Sequence, residues 1–184
     1  ELIRLNKPIG FLLLLWPCWI ALAITEHQNY YYVLYFYFFI GSFLMRSAGC
    51  IINDLIDINI DKKIERTINR PLTSKKIKIL EALILLLILL SFSLLILLQF
   101  NFNTILIGLL SLPFIIIYPF MKRLIYFPQL VLGLVFNWGV FIVSFEIYNK
   151  ITFDLLVLYI ACIFWTLAYD TIYAYQDMKD DIKN

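Results

Sequence analysis

Residues 79–98 read ILEALILLLILLSFSLLILL, a run of twenty positions in which Glu81 is the one charged residue. A helix needs about 20 mainly apolar residues to cross the hydrocarbon core of a bilayer. The run is continuous, whereas strands of a membrane β-barrel alternate apolar and polar residues. The stretch therefore predicts a membrane-spanning α-helix.

The rest of the chain has the same character. Its 184 residues are 62% hydrophobic and 15% charged, and the mean hydropathy is +0.86. Soluble domains carry about 25% charged residues, so this composition excludes an ordinary soluble protein. Six spans are predicted, at residues 8–25, 30–52, 79–98, 104–120, 128–145 and 153–175. The predicted fold is all-α, a polytopic bundle of transmembrane helices.

The basic residues are distributed unevenly between the predicted connections. If the six spans alternate in direction, thirteen of the fifteen Lys and Arg residues fall on one side of the membrane. Lys150 falls on the opposite side, and Arg46 lies within the second span. Lys and Arg are retained on the cytoplasmic side of membrane proteins. The basic side is therefore predicted to face the cytoplasm, or the matrix if the protein is mitochondrial.

A cluster of carboxylates follows the second span on this basic side. It contains Asn53, Asp54, Asp57 and Asp61. The three aspartates are at i, i+3 and i+7, which share one face of a helix. Carboxylates stacked in this way repel one another unless a positive charge lies between them. Their hard oxygen ligands suit Mg²⁺, which is commonly held by one or two carboxylates together with substrate phosphates.

A second carboxylate cluster ends the sixth span on the same side. It contains Asp170, Asp177, Asp180 and Asp181. A single cluster is compatible with a solvated acidic loop, but two clusters at the same end of a bundle favour a functional site. Ionisable residues of membrane helices are functional candidates by default.

Basic residues on the same side complete the pattern of a polyanion site. The candidates are Arg46, Arg66, Arg70, Lys122 and Arg123. A divalent metal held by carboxylates, together with Arg and Lys donors, binds diphosphate well. Arg46 lies about two turns before Asp54 within an apolar span, where a buried arginine needs an anionic partner. We interpret Lys75, Lys76 and Lys78 as residues that only orient the chain.

These residues resemble the UbiA superfamily of intramembrane aromatic prenyltransferases. The first motif of that family, N-D-x-x-D-x-x-x-D, is found at residues 53–61, and R-T-x-x-R-P-L follows at 66–72. A second motif, Y-D-T-x-Y-A-x-x-D-x-x-D-D, is found at 169–181. Shorter segments extend the resemblance over essentially the whole chain: KPIG at 7–10, RSAGC at 46–50, YPFMKR at 118–123, and PQ and LG after residue 127. Lys75 stands where the family usually has a glycine, and we expect this difference to alter only a loop.

The resemblance implies transfer of a polyprenyl group from polyprenyl diphosphate to carbon 3 of 4-hydroxybenzoate, an early step of ubiquinone synthesis, with Mg²⁺ as cofactor. Catalytic roles are implied for Asp54, Asp57, Asp170 and Arg123. Binding of diphosphate or benzoate is implied for Asn53, Arg46, Arg66, Arg70, Lys122, Arg123 and Tyr118. Ligation of the metal is implied for Asp54, Asp57, Asp61, Asp177 and Asp181.

The resemblance also sets expectations for extent and location. The family fold has nine membrane helices and six are predicted here, so we expect a single prenyltransferase domain over 1–184 that is incomplete at its C-terminus. Glu1 in place of Met leaves open that the N-terminus is incomplete as well. The expected location is the bacterial inner membrane, with its active side cytoplasmic; the mitochondrial inner membrane is the alternative.

Two other functions remain compatible with the residues. One is a different reaction of the same superfamily, of the naphthoate or haem O type, although the KPIG and YPFMKR segments argue against it. The other is a carboxylate-lined cation transporter, although transporters place such charges near the bilayer midplane. Beyond lipid and the two substrates, the sequence indicates no nucleic-acid or protein partner.

Overall fold

The computed structural model describes residues 1–6, 8–25, 31–64 and 67–181, with the backbone alone described at 31, 122, 123 and 176–181. Every regular element in these residues is an α-helix, as predicted. The helices are α1 Ile9–Ile24, α2 Tyr31–Asp61, α3 Ile79–Leu97, α4 Phe102–Leu124, α5 Pro128–Phe136, α6 Gly139–Tyr148 and α7 Phe153–Asp181.

Five helical stretches of the described residues are long and apolar enough to cross a membrane. They are Tyr32–Ile56, Ile79–Leu97, Phe102–Met121, Pro128–Tyr148 and Phe153–Tyr175. The first predicted span is also an apolar helix, but α1 has 16 residues. At 1.5 Å per residue it is about 24 Å long, less than the hydrocarbon core of about 30 Å.

The fifth predicted span is two helices rather than one. α5 ends at Phe136 and α6 begins at Gly139. The Asn137 side chain donates hydrogen bonds to the Gly133 carbonyl at 2.7 Å and to Thr166 Oγ1 at 3.0 Å. A break at membrane depth is tolerated only when neighbouring groups satisfy the freed polar atoms, and Asn137 links the break to α7 in this way.

The helices pack around α1 and α2. α2 lies against α1 and α3, α1 also contacts α6 and α7, and α5 packs on α4 and α7. Small residues permit the closest approaches: a Cβ added at Gly133 would lie 3.1 Å from Ile163 Cγ2 and 3.4 Å from the Ile163 backbone. Large apolar side chains such as Trp165 (70% exposed) and Leu87 (64% exposed) point outward, as expected of surfaces that face lipid.

The connections at each end of the bundle meet one another. At one end the α3–α4 turn contacts the end of α6, because the Asn101 backbone N–H donates to Glu146 Oε2 at 3.0 Å and Asn103 Nδ2 donates to Asn149 Oδ1 at 2.7 Å. At the other end Arg4 of the N-terminal segment contacts Asp54 of α2. These contacts agree with the alternating directions predicted for the six spans.

The α2–α3 loop folds back over the end of α2. The Ser74 backbone N–H donates to the Arg70 carbonyl at 2.8 Å and the Lys75 N–H to the Leu72 carbonyl at 3.3 Å. Lys75 has a φ of 59°, in the left-handed region that glycine adopts without steric cost. Lys75 therefore adopts this conformation at a steric cost that a glycine would not have.

Candidate active site

The last turns of α2 carry the first carboxylate cluster. The helix continues to Asp61, so Asp54, Asp57 and Asp61 lie on one helical face, as predicted. Asp54 is 2% exposed and Asp61 is 4% exposed. A buried carboxylate without a partner is strongly destabilising, so this face needs cations.

Arg70 of the α2–α3 loop supplies one of them. Its Nη1 donates to Asp54 Oδ1 at 3.0 Å and to Asp61 Oδ2 at 2.6 Å. The preceding Thr67 holds the loop in place, because its hydroxyl donates to the Asp61 carbonyl at 2.9 Å. Leu72 then packs against Ile51 in an apolar cluster between α2 and α3. Residues 67–72 thus fold over the end of α2 and direct Arg70 onto two carboxylates.

The second cation was not predicted. Arg4 Nη2 donates to Asp54 Oδ1 at 2.7 Å. Arg4 has a φ of 52°, and Leu2, 5% exposed, anchors the N-terminal segment in the same apolar cluster as Ile51. Only an orienting role could be predicted for Arg4, because a basic residue in a basic flank carries no further signal.

Arg46 lies deeper in the bundle. It is half-buried on α2, and its guanidinium carbon lies 5.6 Å from the centre of the Phe136 ring. A Cβ added at Gly10 of α1 would lie 2.6 Å from Arg46 Nε, so the guanidinium rests against the α1 backbone. Within the described part of the chain, no hydrogen bond or ion pair of Arg46 is found. The expected anionic partner of Arg46 is therefore not one of the cluster carboxylates described.

Tyr118 of α4 interacts with charged groups of α2 and α7, including Arg46. Its phenol, on α4, interacts electrostatically with Asp170 of α7 and with Arg46 and Asp57 of α2. Tyr169 of α7 interacts electrostatically with the same Asp170 and Arg46. The structure thus places Tyr118, Asp170, Arg46 and Asp57 within electrostatic range of one another.

An apolar cavity of about 290 Å³ lies beside Arg46. It is lined by residues of α1 to α6, and Met45 and Phe136 form its wall nearest to Arg46. Phe136 therefore contacts the guanidinium and also faces the cavity. The site consists of a charged end at the carboxylates, Arg46 in the middle and an apolar chamber beyond.

The first cluster alone supplies only some of the ligands that a magnesium ion needs. Among the residues that the structure describes, no group of three or more His, Cys, Asp or Glu side chains is arranged to hold a metal. Asp54 and Asp61 instead share Arg70. Magnesium takes as few as one or two carboxylates and completes its shell with water and phosphate. The donor set therefore fits a magnesium ion that takes its remaining ligands from water or from substrate phosphate.

Several predicted site residues lie outside the described positions. Arg66 is outside them altogether, and the side chains of Lys122, Arg123, Asp177 and Asp181 are as well. The backbone places Lys122 and Arg123 in the last turn of α4 and Asp177 and Asp181 in the last turns of α7. Asn53 is described and has a polar or electrostatic partner.

Several known proteins are similar to this chain in sequence. A mitochondrial 4-hydroxybenzoate polyprenyltransferase of Drosophila pseudoobscura pseudoobscura is 43% identical over 186 residues, covering 100% of this chain and 47% of that protein. A 4-hydroxybenzoate octaprenyltransferase of Blochmanniella pennsylvanica (strain BPEN) is 43% identical over 182 residues, covering 99% of this chain and 63% of that protein. The chain thus spans about half to two thirds of the length of these two relatives.

A solved structure and a family match complete the comparison. The apo structure of a UbiA homolog from Aeropyrum pernix K1 has a TM-score of 0.73 and 23% identity, covering 97% of this chain and 66% of that one; at this identity the likeness concerns the fold. The model of the UbiA prenyltransferase family matches residues 14–184. Because this match includes both carboxylate clusters and nearly the whole chain, the chain belongs to the UbiA prenyltransferase family.

Proposed function

We propose that the protein transfers a polyprenyl group from polyprenyl diphosphate to carbon 3 of 4-hydroxybenzoate in ubiquinone synthesis. One observation carries the proposal: Arg46, without an ionic partner in the described residues, lies between the paired carboxylates of α2 and an apolar cavity. This order of carboxylates, arginine and cavity provides separate places for a charged head group, an anionic acceptor and an isoprenoid tail. The names of the 43%-identical relatives support the same substrates.

The carboxylate end is proposed to bind the diphosphate. Bound Mg²⁺ supplies positive charge that offsets the charge on the departing diphosphate. Asp54, Asp57 and Asp61 would hold it from α2, and Asp177 and Asp181 from α7. Arg70 already reaches this face, and Arg66, Lys122 and Arg123 would add donors for the phosphate oxygens.

Arg46 is proposed to bind the carboxylate of 4-hydroxybenzoate. A guanidinium matches a carboxylate with two parallel hydrogen bonds. Asp54 lies eight residues further along α2, a distance of about 12 Å along the axis. 4-Hydroxybenzoate bound at Arg46 would present its ring towards the allylic carbon, while the diphosphate stays at the carboxylate end. Asn53 of α2, and Tyr118, which interacts electrostatically with Arg46 and Asp57, would orient the phenol.

The bond changes follow from this placement. The bond between the allylic carbon and the diphosphate oxygen breaks, and the diphosphate takes the electron pair. Carbon 3 of the electron-rich ring forms the new bond to the allylic carbon and then loses its proton. Asp170, close to Tyr118, is proposed to accept that proton. The apolar cavity would hold the tail near the reacting carbon and keep water away from it.

The basic end of the bundle is proposed to face the cytoplasm, or the matrix in a mitochondrion. Arg4 and Arg70 lie at this end, and Lys and Arg favour that side. The reacting ends of both substrates would then be handled at the cytoplasmic surface of the membrane.

A transfer assay tests the proposal. Membranes containing the chain are incubated with labelled 4-hydroxybenzoate, a polyprenyl diphosphate and Mg²⁺, and the product is identified by mass spectrometry. We expect a 3-prenylated acid that disappears with a chelator and with Asp54→Asn. Asp154→Asn is the matched control. Asp154 is an exposed aspartate in the first turn of α7, whereas the second carboxylate cluster lies at the other end of that helix.

Parallel arms of this assay separate the rival functions. Prenylation of a dihydroxynaphthoate or of haem, without prenylation of 4-hydroxybenzoate, would assign another reaction of the superfamily. Metal-dependent cation flux into liposomes, without any transfer product, would assign a transporter. Either result would refute the proposed acceptor or the proposed class.

A further inference from the structure

Gly10, in the first turn of α1, lies directly beneath the Arg46 side chain. A Cβ built on Gly10 would lie 2.6 Å from Arg46 Nε, 2.9 Å from Nη2 and 3.2 Å from Cζ. Real Cβ atoms essentially never approach another heavy atom within 3.0 Å. The guanidinium can therefore hold this position only if residue 10 has no side chain.

Another helix, α5, also contacts the guanidinium. Phe136 of α5 lies with its ring centre 5.6 Å from Arg46 Cζ, a distance at which a cation is attracted to an aromatic face. Gly10 and Phe136 therefore contact the guanidinium from α1 and α5, while Arg46 itself extends from α2. Three helices together define the direction of one side chain.

We infer that Gly10 is a positioning residue, which sets the direction of the Arg46 guanidinium and through it the preference for an acceptor that carries a carboxylate. This inference rests on the proposed function of Arg46. Gly10 would not touch the substrate. Its contribution is the space that lets the guanidinium lie against α1 and present its N–H groups to the interior.

A substitution at Gly10 should displace Arg46 more readily than it disturbs the helices. The atoms that an added Cβ would meet belong to the far end of a flexible side chain, which can rotate away. Alanine also favours the helical conformation over glycine. The chain offers a matched control in Gly49 of α2, where an added Cβ would meet nothing within 4 Å.

The test compares the binding of two acceptors to the purified full chain in lipid nanodiscs. 4-Hydroxybenzoate carries the carboxylate, and 4-hydroxybenzamide is a neutral analogue of nearly the same shape. We expect Gly10→Ala to weaken binding of the benzoate by about tenfold, the scale of a lost hydrogen bond to a charged group, and to leave amide binding unchanged. Gly49→Ala should change neither, and Arg46→Ala should weaken benzoate binding at least as much as Gly10→Ala does.

The double variant Gly10→Ala/Arg46→Ala isolates the coupling between the two residues. Since Gly10 is inferred to act through Arg46, Gly10→Ala should cause no further loss of benzoate binding when Arg46 is already absent. If Gly10→Ala alone fails to fold, this double variant still folds by the same reasoning, because the obstructing side chain has been removed. Additive losses would overturn the inference.

The outcomes distinguish the inference from the proposed function. Wild-type protein that binds both acceptors equally, or an Arg46→Ala variant that binds the benzoate normally, would refute the role of Arg46 and with it the inference. Normal preference for the benzoate in Gly10→Ala, together with loss of that preference in Arg46→Ala, would refute the inference about Gly10 alone.

Discussion

The Asp54 carboxylate accepts hydrogen bonds from two arginines that lie far apart in the sequence. Arg4 and Arg70 reach the same Oδ1 atom, at 2.7 and 3.0 Å. The role of Arg70 could be predicted, because it follows the aspartates in a recognisable motif. The role of Arg4 could not, because its contact depends on how Leu2 anchors the N-terminal segment, and tertiary contacts of this kind leave no trace in residue spacing.

Arg4 competes with any metal for Asp54, and its removal should therefore strengthen metal binding. Without substrate, we expect Arg4→Gln to bind Mg²⁺ up to about fivefold more tightly, equivalent to about 1 kcal/mol for a partly exposed ion pair. Isothermal titration of the purified protein measures this affinity. Lys78→Gln removes the same charge on the same side of the membrane and should have little effect. Equal or weaker binding by Arg4→Gln would show that Arg4 does not compete with the metal.

Lys75 adopts a left-handed backbone conformation that glycine tolerates better. A non-glycine residue in this region costs about 1–2 kcal/mol, and glycine loses about 0.5–1 kcal/mol in conformational entropy. Lys75→Gly should therefore raise the free energy of unfolding by about 0.5–1 kcal/mol, measured by thermal unfolding in detergent. Lys76→Gly, the adjacent control, should be neutral or destabilising. A loss of stability in Lys75→Gly would mean that the turn differs from the one described.

The hydropathy of the sequence predicts where the helices lie, but it does not predict the break between α5 and α6. The run at residues 79–98 became α3, and the aspartates of α2 fell on one helical face. The break between α5 and α6 was missed, because Asn137 and Trp138 are averaged out over an apolar window. Polar atoms of other helices satisfy the break, as Thr166 of α7 accepts from Asn137, and these partners are remote in sequence.

The hydrogen bonds of Asn137 should stabilise the α5–α6 break. Asn137→Leu removes donation to both the Gly133 carbonyl and Thr166 Oγ1. Hydrogen bonds between membrane helices contribute about 0.6 kcal/mol on average and up to about 1.7, so we expect a loss of unfolding free energy within that range per bond, measured in bicelles. Thr166→Val, which removes one acceptor, should cost less. No loss in Asn137→Leu would mean that the break has other support.

In the whole molecule, charged and polar residues distinguish the two ends of the helical bundle. The N-terminal segment and the α2–α3 loop meet at Asp54, and the turns after α3 and α6 meet at the other end. The uneven distribution of Lys and Arg along the sequence predicts this division. The interior arrangement, in which Arg46 contacts both Gly10 and Phe136, depends on the packing of three helices and could not be predicted from spacing.

Cysteine labelling tests the orientation. In a background in which Cys18, Cys50 and Cys162 are replaced by alanine, single cysteines at Lys76 and Lys150 should label from opposite sides of the membrane. An impermeant maleimide applied outside a bacterial inner membrane should reach Lys150→Cys at once and Lys76→Cys only after the membrane is disrupted. Labelling of both positions from one side would contradict the six alternating spans.

The carboxylate end of the site is proposed to bind the diphosphate, and Arg46 is proposed to bind the acceptor. Equilibrium binding of Mg²⁺–polyprenyl diphosphate and of 4-hydroxybenzoate to Asp54→Asn and Arg46→Gln tests this division directly. We predict a crossed result: Asp54→Asn loses the diphosphate and retains the benzoate, whereas Arg46→Gln loses the benzoate and retains the diphosphate. Loss of both ligands in both variants, or of neither in either variant, would contradict the division of the site.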